Sequence, residues 1–202
     1  RHTFLEASSP EGKQALLGQA VSTNYAYANR VAILAALAEG LKTVWGGGVG
    51  SPSLLYDAAH NSIRQEVIGD ELLWIHRHNT NRALPAAHPG LAGSPFFETG
   101  QPLLLPGTDR THSYLCVAAS GAAQSLYSVD HGAGRSALRL KTARLDEAPV
   151  TRLYDYSRGL VGAEAHWSDD GVDEVLAVLG QADLARPVAR LRPLAVLKDL
   201  SR

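Results

Sequence analysis

The sequence predicts an α+β fold in which mixed sheets follow one long N-terminal helix. Apolar residues recur at helical spacing from Leu17 to Val44, a pattern typical of a helix. The rest of the chain holds short apolar runs bounded by glycine and proline, and these predict strands. Because strands and helices alternate irregularly, α+β is favoured over a regular doubly wound sheet. A length of 202 residues suits one domain, and 45% hydrophobic content allows the chain to bury a core, so residues 1–202 are expected to form a single domain.

The long helix is predicted to begin near Ser8 and to end at Trp45. Ser8 and Glu11 have the spacing of a capping box, and the proline between them suits a first helical turn. Because the stretch is long for a globular helix, a break at residues 22–24 is an alternative. The polar side chains of residues 24–30 are interpreted as a solvated helix face, and the alternative is a face turned to a site or to a neighbouring element.

Glycine-rich residues 46–52 end this helix, and a run of strands separated by turn signals follows. Gly69-Asp70 marks a hairpin turn, and residues 79–100 are rich in loop-forming residues. Residues 145–171 are polar and irregular, which predicts a surface excursion, and a second helix is expected to start at Asp170. The predicted strands are 54–57, 64–67, 71–78, 103–105, 112–118, 124–129 and 187–198.

The composition excludes several classes of protein. A formal net charge of −1 gives no basic surface overall, so any contact with nucleic acid has to be local. The one cysteine, Cys116, excludes a disulfide framework and is interpreted as a small buried side chain. No apolar run is long enough to span a membrane, and no signal-peptide pattern opens the chain. These features predict a reducing, cytoplasmic location.

Residues 130–135, with the sequence DHGAGR, are the main candidate for chemistry. The small residues after His131 allow a ligand to approach the backbone closely, and Arg135 suits bidentate contact with phosphate. Helix-compatible residues 136–143 follow, and a helix N-terminus favours an anion. Two interpretations stay open on these residues alone: a histidine working beside a phosphate, or a glycine-rich turn with an incidental histidine. A nucleophilic His131 would form a phosphoramidate.

The other histidines offer metal-binding and structural interpretations. With one cysteine in the chain, a metal site would need imidazole, carboxylate and water ligands. His76 and His78 alternate on one predicted strand and therefore share a face. The chain has no P-loop, no dinucleotide fingerprint and no serine nucleophile elbow. The histidines with neighbours worth weighing are His60, His76, His78, His112 and His131.

Several stretches, in the same order along the chain, resemble the C-terminal part of the RtcB family of RNA-splicing ligases. One such stretch would be weak evidence, whereas the ordered set covers the chain nearly from end to end. The stretches are 9–12 with 24–30, 56–61, 76–85, 100–107, 113–114, 131–135 and 189–198. The resemblance implies an α+β fold built around a nucleotide and metal pocket.

The resemblance also implies an activity, cofactors and site residues. Family members use GTP and Mn²⁺ to join RNA ends bearing a 3′-phosphate or 2′,3′-cyclic phosphate to a 5′-hydroxyl, as in tRNA splicing or RNA repair. By position, His131 would be the catalytic residue that takes GMP covalently, and His60 would bind manganese. The implied nucleotide-binding residues are Asn61, Thr108, Ser113, Ala133, Gly134 and Lys198. The expected phosphate or RNA contacts are His78, Arg82 and Arg135.

The chain departs from the family pattern in places that bear on activity. The family's other metal ligands lie in N-terminal motifs that are missing here. Residues 78–81 replace the family's Lys-Gly-Ala-Thr segment. His78 stands at the position of the lysine, and it supplies a positive charge only when its imidazole is protonated. Thr108 keeps the hydroxyl of a family serine. Asp130 precedes His131 where cysteine is common.

These departures predict a second partner besides RNA. The chain begins with Arg1 and contains no methionine, so we expect an N-terminal half to exist as a missing segment or a separate chain. One histidine cannot hold manganese alone, so ligation is expected only together with that half. Two alternatives remain open: a diverged homologue that binds RNA ends or nucleotide without ligating, and a non-catalytic subunit.

Overall fold

A computed structural model describes two compact units, Arg1–His78 and Asn79–Arg202. Its helices and small, mostly antiparallel sheets confirm the α+β prediction. The expectation of a single domain over residues 1–202 stays a prediction. The described residues are 4–48, 50, 52–108, 111–131, 151–155, 159–164 and 172–198.

The first unit begins with helix α1, Pro10–Trp45. Its N-cap is Ser9, whose hydroxyl accepts a hydrogen bond from Gly12 N at 3.0 Å. The capping prediction was therefore one residue early, because Ser8 instead donates to the Glu6 carboxylate at 2.6 Å. Two adjacent serines were both candidates for the N-cap. Only Ser9 has the geometry that satisfies an otherwise unpaired N–H of the first helical turn.

Helix α1 is continuous through residues 22–24, so the alternative of a break there is wrong. The helix ends where Gly46 takes φ 72°, and its N–H donates to the Lys42 carbonyl. That backbone conformation favours glycine and explains why the glycine-rich stretch terminates the helix. No helix in the described part of the chain combines the length and apolarity that a membrane crossing requires.

A hairpin follows in the same unit, formed by β1, Ser62–Ile68, and β2, Glu71–Arg77. The predicted turn is confirmed, and Gly69 takes φ 62° in it. Arg77 is buried and forms a bidentate ion pair with Glu66 at 2.6 and 2.8 Å. The strand predicted at 54–57 is wrong, because this stretch joins no ladder and its apolar side chains are largely exposed.

The second unit is built on small sheets. One has the antiparallel order β4–β5–β9, a second pairs β3 with β6, and a third has the order β10–β7–β8. Helix α2 is Val172–Gln181. The strands are β3 Thr80–Arg82, β4 Pro102–Leu105, β5 Ser113–Ala118, β6 Ser128–Asp130, β7 Thr151–Asp155, β8 Gly159–Glu164, β9 Ala185–Leu191 and β10 Ala195–Lys198.

The hydrophobic core lies in this second unit, where α2 packs on the β4–β5–β9 sheet through Val172 and Leu179. Cys116 is 1% exposed, as predicted, and burial raises the pKa of its thiol to about 11. Tyr114 on β5 donates to the Asp173 carboxylate of α2. Burial first, and then that carboxylate, raise the Tyr114 pKa to about 12, so the phenol stays protonated at neutral pH.

Three stretches of the second unit differ from prediction. The strand predicted at 124–129 is in part a 3-10 turn, Ser120–Ser125, because Leu126 and Tyr127 both take positive φ before β6 begins. The stretch 187–198 forms two strands rather than one, with a bulge beside Pro187 where the β5–β9 register shifts. The prediction that residues 145–171 are irregular is wrong where β7 and β8 form. The prediction that this segment lies at the surface stays a prediction.

Candidate functional site

The predicted site residues fall in both units, and each unit is described by itself. His60, Asn61 and His78 belong to the first unit. Those of the second unit within the described ranges are Arg82, Thr108, Ser113, His131 and Lys198. The predicted nucleotide contacts Ala133 and Gly134 and the predicted phosphate contact Arg135 lie outside the described residues.

Helix α1 holds the segment that leads to His60. Arg30 Nε lies 2.6 Å from a carboxylate oxygen of Asp57, and the Arg30 guanidinium lies 4.7 Å from the Tyr27 ring centroid. The Tyr27 hydroxyl accepts a hydrogen bond from Ala59 N at 3.3 Å. Part of the helix face expected to be solvated is therefore used to fix residues 57–59.

A cleft of about 240 Å³ lies between α1 and residues 59–61. His60, Asn61 and Arg30 line it, and Gln19 at its wall donates to the Asn61 carbonyl at 3.3 Å. Arg30 Nη2 is buried and has no hydrogen-bond acceptor among the described residues. A cleft with an imidazole, an amide and a guanidinium can accept polar or anionic groups.

Metal binding by these residues alone does not fit the structure. Within the described ranges, no three His, Cys, Asp or Glu side chains gather in a group able to hold a metal ion. His60 is thus one imidazole without a neighbouring ligand set in this part of the chain. Further ligands would be required for a complete site.

The backbone of His131 is fixed by pairing between β3 and β6. Thr80 is opposite Asp130 in this antiparallel ladder, and His131 N donates to the Asn79 carbonyl at 2.9 Å. The bond extends the ladder by one step beyond β6. The candidate nucleophile therefore begins from a defined strand end rather than from an unconstrained turn.

The His131 ring lies against polar groups of two other strands. Its Nδ1 is 3.1 Å from the Leu104 carbonyl oxygen on β4 and 3.3 Å from Asn81 Nδ2 on β3. Asn81 is 5% exposed and itself donates to the Leu104 carbonyl at 3.1 Å. Each of these two contacts is made at Nδ1 of the ring.

Thr108 follows β4, and Ser113 is the first residue of β5. Ser113 Oγ accepts a hydrogen bond from Gly107 N at 2.9 Å, and Thr108 N donates to Thr111 Oγ1 at 2.8 Å. A Cβ at Gly107 would lie only 2.1 Å from the His112 carbonyl oxygen, so the loop requires glycine there. Hydrogen bonds thus anchor Thr108 to Thr111 and Ser113 to Gly107.

The remaining predicted residues are placed separately. Arg82 ends β3, opposite Ser128, and Lys198 ends β10, opposite Asp155. His78 is exposed at the end of the first unit. Sequence reasoning missed Asn81 as a neighbour of His131. The available signal was that Asn81 stands where the family segment has threonine.

Comparison with known proteins places nearly the whole chain in one family. The family model described as tRNA-splicing ligase RtcB matches residues 2–199. The RNA-splicing ligases RtcB of Mycobacterium tuberculosis and Mycobacterium bovis are each 34% identical over 204 residues, covering 94% of this chain and 46% of the relative. The tRNA-splicing ligase RtcB of Thermococcus kodakarensis is 32% identical over 206 residues, covering 94% of this chain and 42% of the relative. The chain spans less than half the length of these curated relatives, and it belongs to the RtcB family.

Proposed function

We propose that the chain is the C-terminal half of a GTP- and Mn²⁺-dependent RNA ligase. The enzyme joins RNA ends bearing a 3′-phosphate or 2′,3′-cyclic phosphate to 5′-hydroxyl ends. Membership of the RtcB family and the names of its relatives support ligation of RNA. The observation that carries the proposal for this chain is the fixed His131, held at a strand end with Nδ1 against the Leu104 carbonyl.

The proposed covalent step takes place at His131. Its Nε2 lone pair attacks the α-phosphorus of GTP, a nitrogen–phosphorus bond forms, and the bond to pyrophosphate breaks. Pyrophosphate leaves with the electron pair of that bond. The proton on Nδ1 stays in its hydrogen bond to the Leu104 carbonyl, which stabilises the positive charge that develops on the ring.

The nucleotide and RNA contacts are proposed from family positions. Asn61 contacts the guanylate phosphate, and Ser113 and Lys198 contact guanine. The hydrogen bonds that constrain the backbone beside Ser113 and Thr108 support a binding role for these two residues. The further proposed nucleotide residues are Ala133 and Gly134. The proposed phosphate or RNA contacts are His78, Arg82 and Arg135.

The manganese site is proposed to need an N-terminal half, in the same polypeptide or in a separate chain. His60 supplies one imidazole, and the other ligands come from that half. Helix α1 supports this partner because it exposes apolar residues on opposite sides: Leu17 and Val21 on one, Ile33 and Leu37 on the other. Exposed apolar side chains that are grouped on two sides of one helix are typical of surfaces that further protein covers.

A second candidate is a homologue that binds nucleotide or RNA ends without ligating them. It is favoured by the lack of a metal-ligand group among the described residues and by residues 78–81, which replace the family's Lys-Gly-Ala-Thr segment. This candidate predicts binding of RNA or GTP without formation of a joined RNA product.

The test is transfer of labelled GMP in the presence of manganese. The chain is co-expressed with the N-terminal half of an RtcB relative, and the complex is incubated with α-labelled GTP. Label is expected on the wild-type chain and on the control His76→Ala, whose ring is exposed on β2. Label that survives His131→Ala would sink the assignment. Label without RNA joining would support the second candidate instead.

A further inference from the structure

One face of helix α1 carries a polar stripe, made of Gln19, Thr23, Tyr27 and Arg30. These residues are three or four positions apart, and side chains at that spacing share one face of a helix. The described residues 52–61, which end just before β1, belong to no helix or strand. Their backbone therefore requires contacts other than a ladder to hold one conformation.

Two side chains of the polar stripe hold this segment on either side of Ala58. Arg30 Nε lies 2.6 Å from a carboxylate oxygen of Asp57, and the Tyr27 hydroxyl accepts a hydrogen bond from Ala59 N at 3.3 Å. The Arg30 guanidinium lies 4.7 Å from the centroid of the Tyr27 ring, so the two holding groups also contact each other. The bond at Ala59 restricts rotation of the chain about the ion pair at Asp57.

A third contact from the polar stripe reaches the end of the segment. Gln19 Nε2 donates to the Asn61 carbonyl at 3.3 Å. The same amide donates to Thr23 Oγ1 at 3.2 Å, and Thr23 Oγ1 donates to the Gln19 carbonyl at 2.9 Å. The contacts with α1 thus fall on residues 57, 59 and 61, on both sides of His60.

The held segment forms one wall of the cleft of about 240 Å³ beside α1. Asn61 lines this cleft together with Arg30. Asn61 is the proposed contact of the guanylate phosphate, and a contact of this kind depends on placement to within about 0.5 Å. Residues that fix the backbone before Asn61 therefore bear on how well the phosphate is bound.

We propose that Tyr27 and Arg30 are positioning residues for Asn61. They hold the backbone of residues 57–59 and so set where Asn61 lies in the cleft. Their effect on nucleotide binding rests on the proposed function, whereas the holding of the segment does not. The polar stripe of α1 then serves the site through the backbone of a segment that has no regular structure of its own.

The first measurement is hydrogen exchange of the Ala59 amide by NMR, on the chain in complex with the N-terminal half. Tyr27→Phe keeps the ring and removes the acceptor, so exchange should rise about fivefold, the worth of one hydrogen bond. Arg30→Ala keeps the acceptor and releases Asp57, and because Arg30 is partly exposed a smaller rise of about threefold is expected. Lys42→Ala is the matched control, because it breaks an ion pair of α1 with Glu39 instead. It should leave Ala59 exchange unchanged.

The second measurement is the dissociation constant of GTP by calorimetry, in a His131→Ala background that prevents transfer. Tyr27→Phe should raise the constant about fivefold and Arg30→Ala about threefold, in line with their effects on Ala59. A merely structural loss would lower the fraction of protein that binds and leave the constant unchanged. In an Asn61→Ala background, Tyr27→Phe should cause no further rise, because residues that act through one another are not additive. Tyr27→Phe removes one oxygen atom, so it keeps the test informative if Arg30→Ala does not fold.

The outcomes distinguish this inference from the proposed function. Unchanged Ala59 exchange in Tyr27→Phe, or an unchanged dissociation constant of GTP, would overturn the positioning role while leaving guanylylation in place. The expected exchange rates and dissociation constants, without a GMP adduct on the chain that retains His131, would overturn guanylylation while leaving the positioning role intact.

Discussion

The first unit and the second unit are each stabilised internally by a different kind of interaction. The second unit buries a contiguous apolar cluster that includes Leu103, Leu105 and Val172. In the described part of the first unit, Ile75 is the one buried large hydrophobic side chain, and Ser62 and Arg77 are the buried polar ones. The first unit instead depends on polar contacts such as Arg77–Glu66 and Arg30–Asp57.

This difference indicates that the units contribute unequally to stability. Apolar burial is the main favourable term in folding, so the second unit can stabilise itself. A two-stranded hairpin is marginal in water, and the exposed apolar residues on two sides of α1 favour coverage by further protein. We therefore expect the first unit to depend on the proposed N-terminal half far more than the second does.

The largest expected effect comes from breaking the buried ion pair of the first unit. Arg77→Ala leaves the Glu66 carboxylate, whose side chain is 11% exposed, without its partner. The free energy of unfolding should fall by about 4 kcal/mol. Arg77→Met combined with Glu66→Leu removes both charges and should restore most of it. If the single variant lost under 1 kcal/mol in denaturant titrations, the pair would not be holding the hairpin.

A matched pair of leucine truncations compares the units directly. Leu103 is 2% exposed in the second unit, and Leu37 is 53% exposed on α1. Leu103→Ala should destabilise the protein by about 3 kcal/mol, because it removes contacts and leaves a cavity. Leu37→Ala should change stability by less than about 0.5 kcal/mol in the isolated chain. Equal losses in urea unfolding would contradict the comparison.

Thiol reactivity offers a probe of the second unit alone. The pKa of Cys116 is raised to about 11 from 9.0, so the thiol is protonated at pH 8 and gains thiolate only as the pH rises. Its thiolate fraction at pH 8 is about a hundredfold below that of an unperturbed cysteine. Labelling with a disulfide reagent should therefore be slow and limited by opening of the unit. Leu37→Cys in a Cys116→Ala background should react at least a hundredfold faster; similar rates would show that the core is open.

The smallest expected effect is at the start of α1. Ser9→Ala removes the hydroxyl that caps Gly12 N, and should cost about 1 kcal/mol of helix stability. Ser8→Ala is the control, because Ser8 bonds the exposed Glu6 side chain instead. Hydrogen exchange of the first helical turn measures both. Faster exchange in Ser8→Ala than in Ser9→Ala would show that Ser8, the residue predicted from the sequence, caps the helix.

Local signals predicted the elements that depend on local chemistry. The hairpin at Gly69 and the glycine-terminated α1 follow from turn and capping residues in the sequence itself. The stretch 54–57 has strand-like composition but lacks a partner, and pairing is not a property of one segment. Leu126 and Tyr127 take positive φ, although neither is a glycine, the residue type that usually predicts this backbone conformation.

For the candidate site, the sequence predicted candidate residues by motif but did not predict which other groups lie next to them in space. Motif order singled out His131 and His60 as candidates because family patterns are read along the chain, and their roles stay predictions. Asn81 was missed because its contact with His131 spans 50 positions and exists only after β3 pairs with β6. The Leu104 contact uses a backbone carbonyl, which every residue carries and no sequence pattern marks.

The two left-handed residues before β6 have a consequence for the order of folding. Leu126 and Tyr127 each cost about 1–2 kcal/mol in that conformation, so the turn is locally frustrated. Tyr127 is restrained by bonds from its N–H to Ala122 and from Ala83 N to its carbonyl. The Ala83 bond closes a loop of more than forty residues, which is slow to form. We expect β6 to dock late in folding, so the backbone of His131 is fixed in place by some of the last contacts the chain makes.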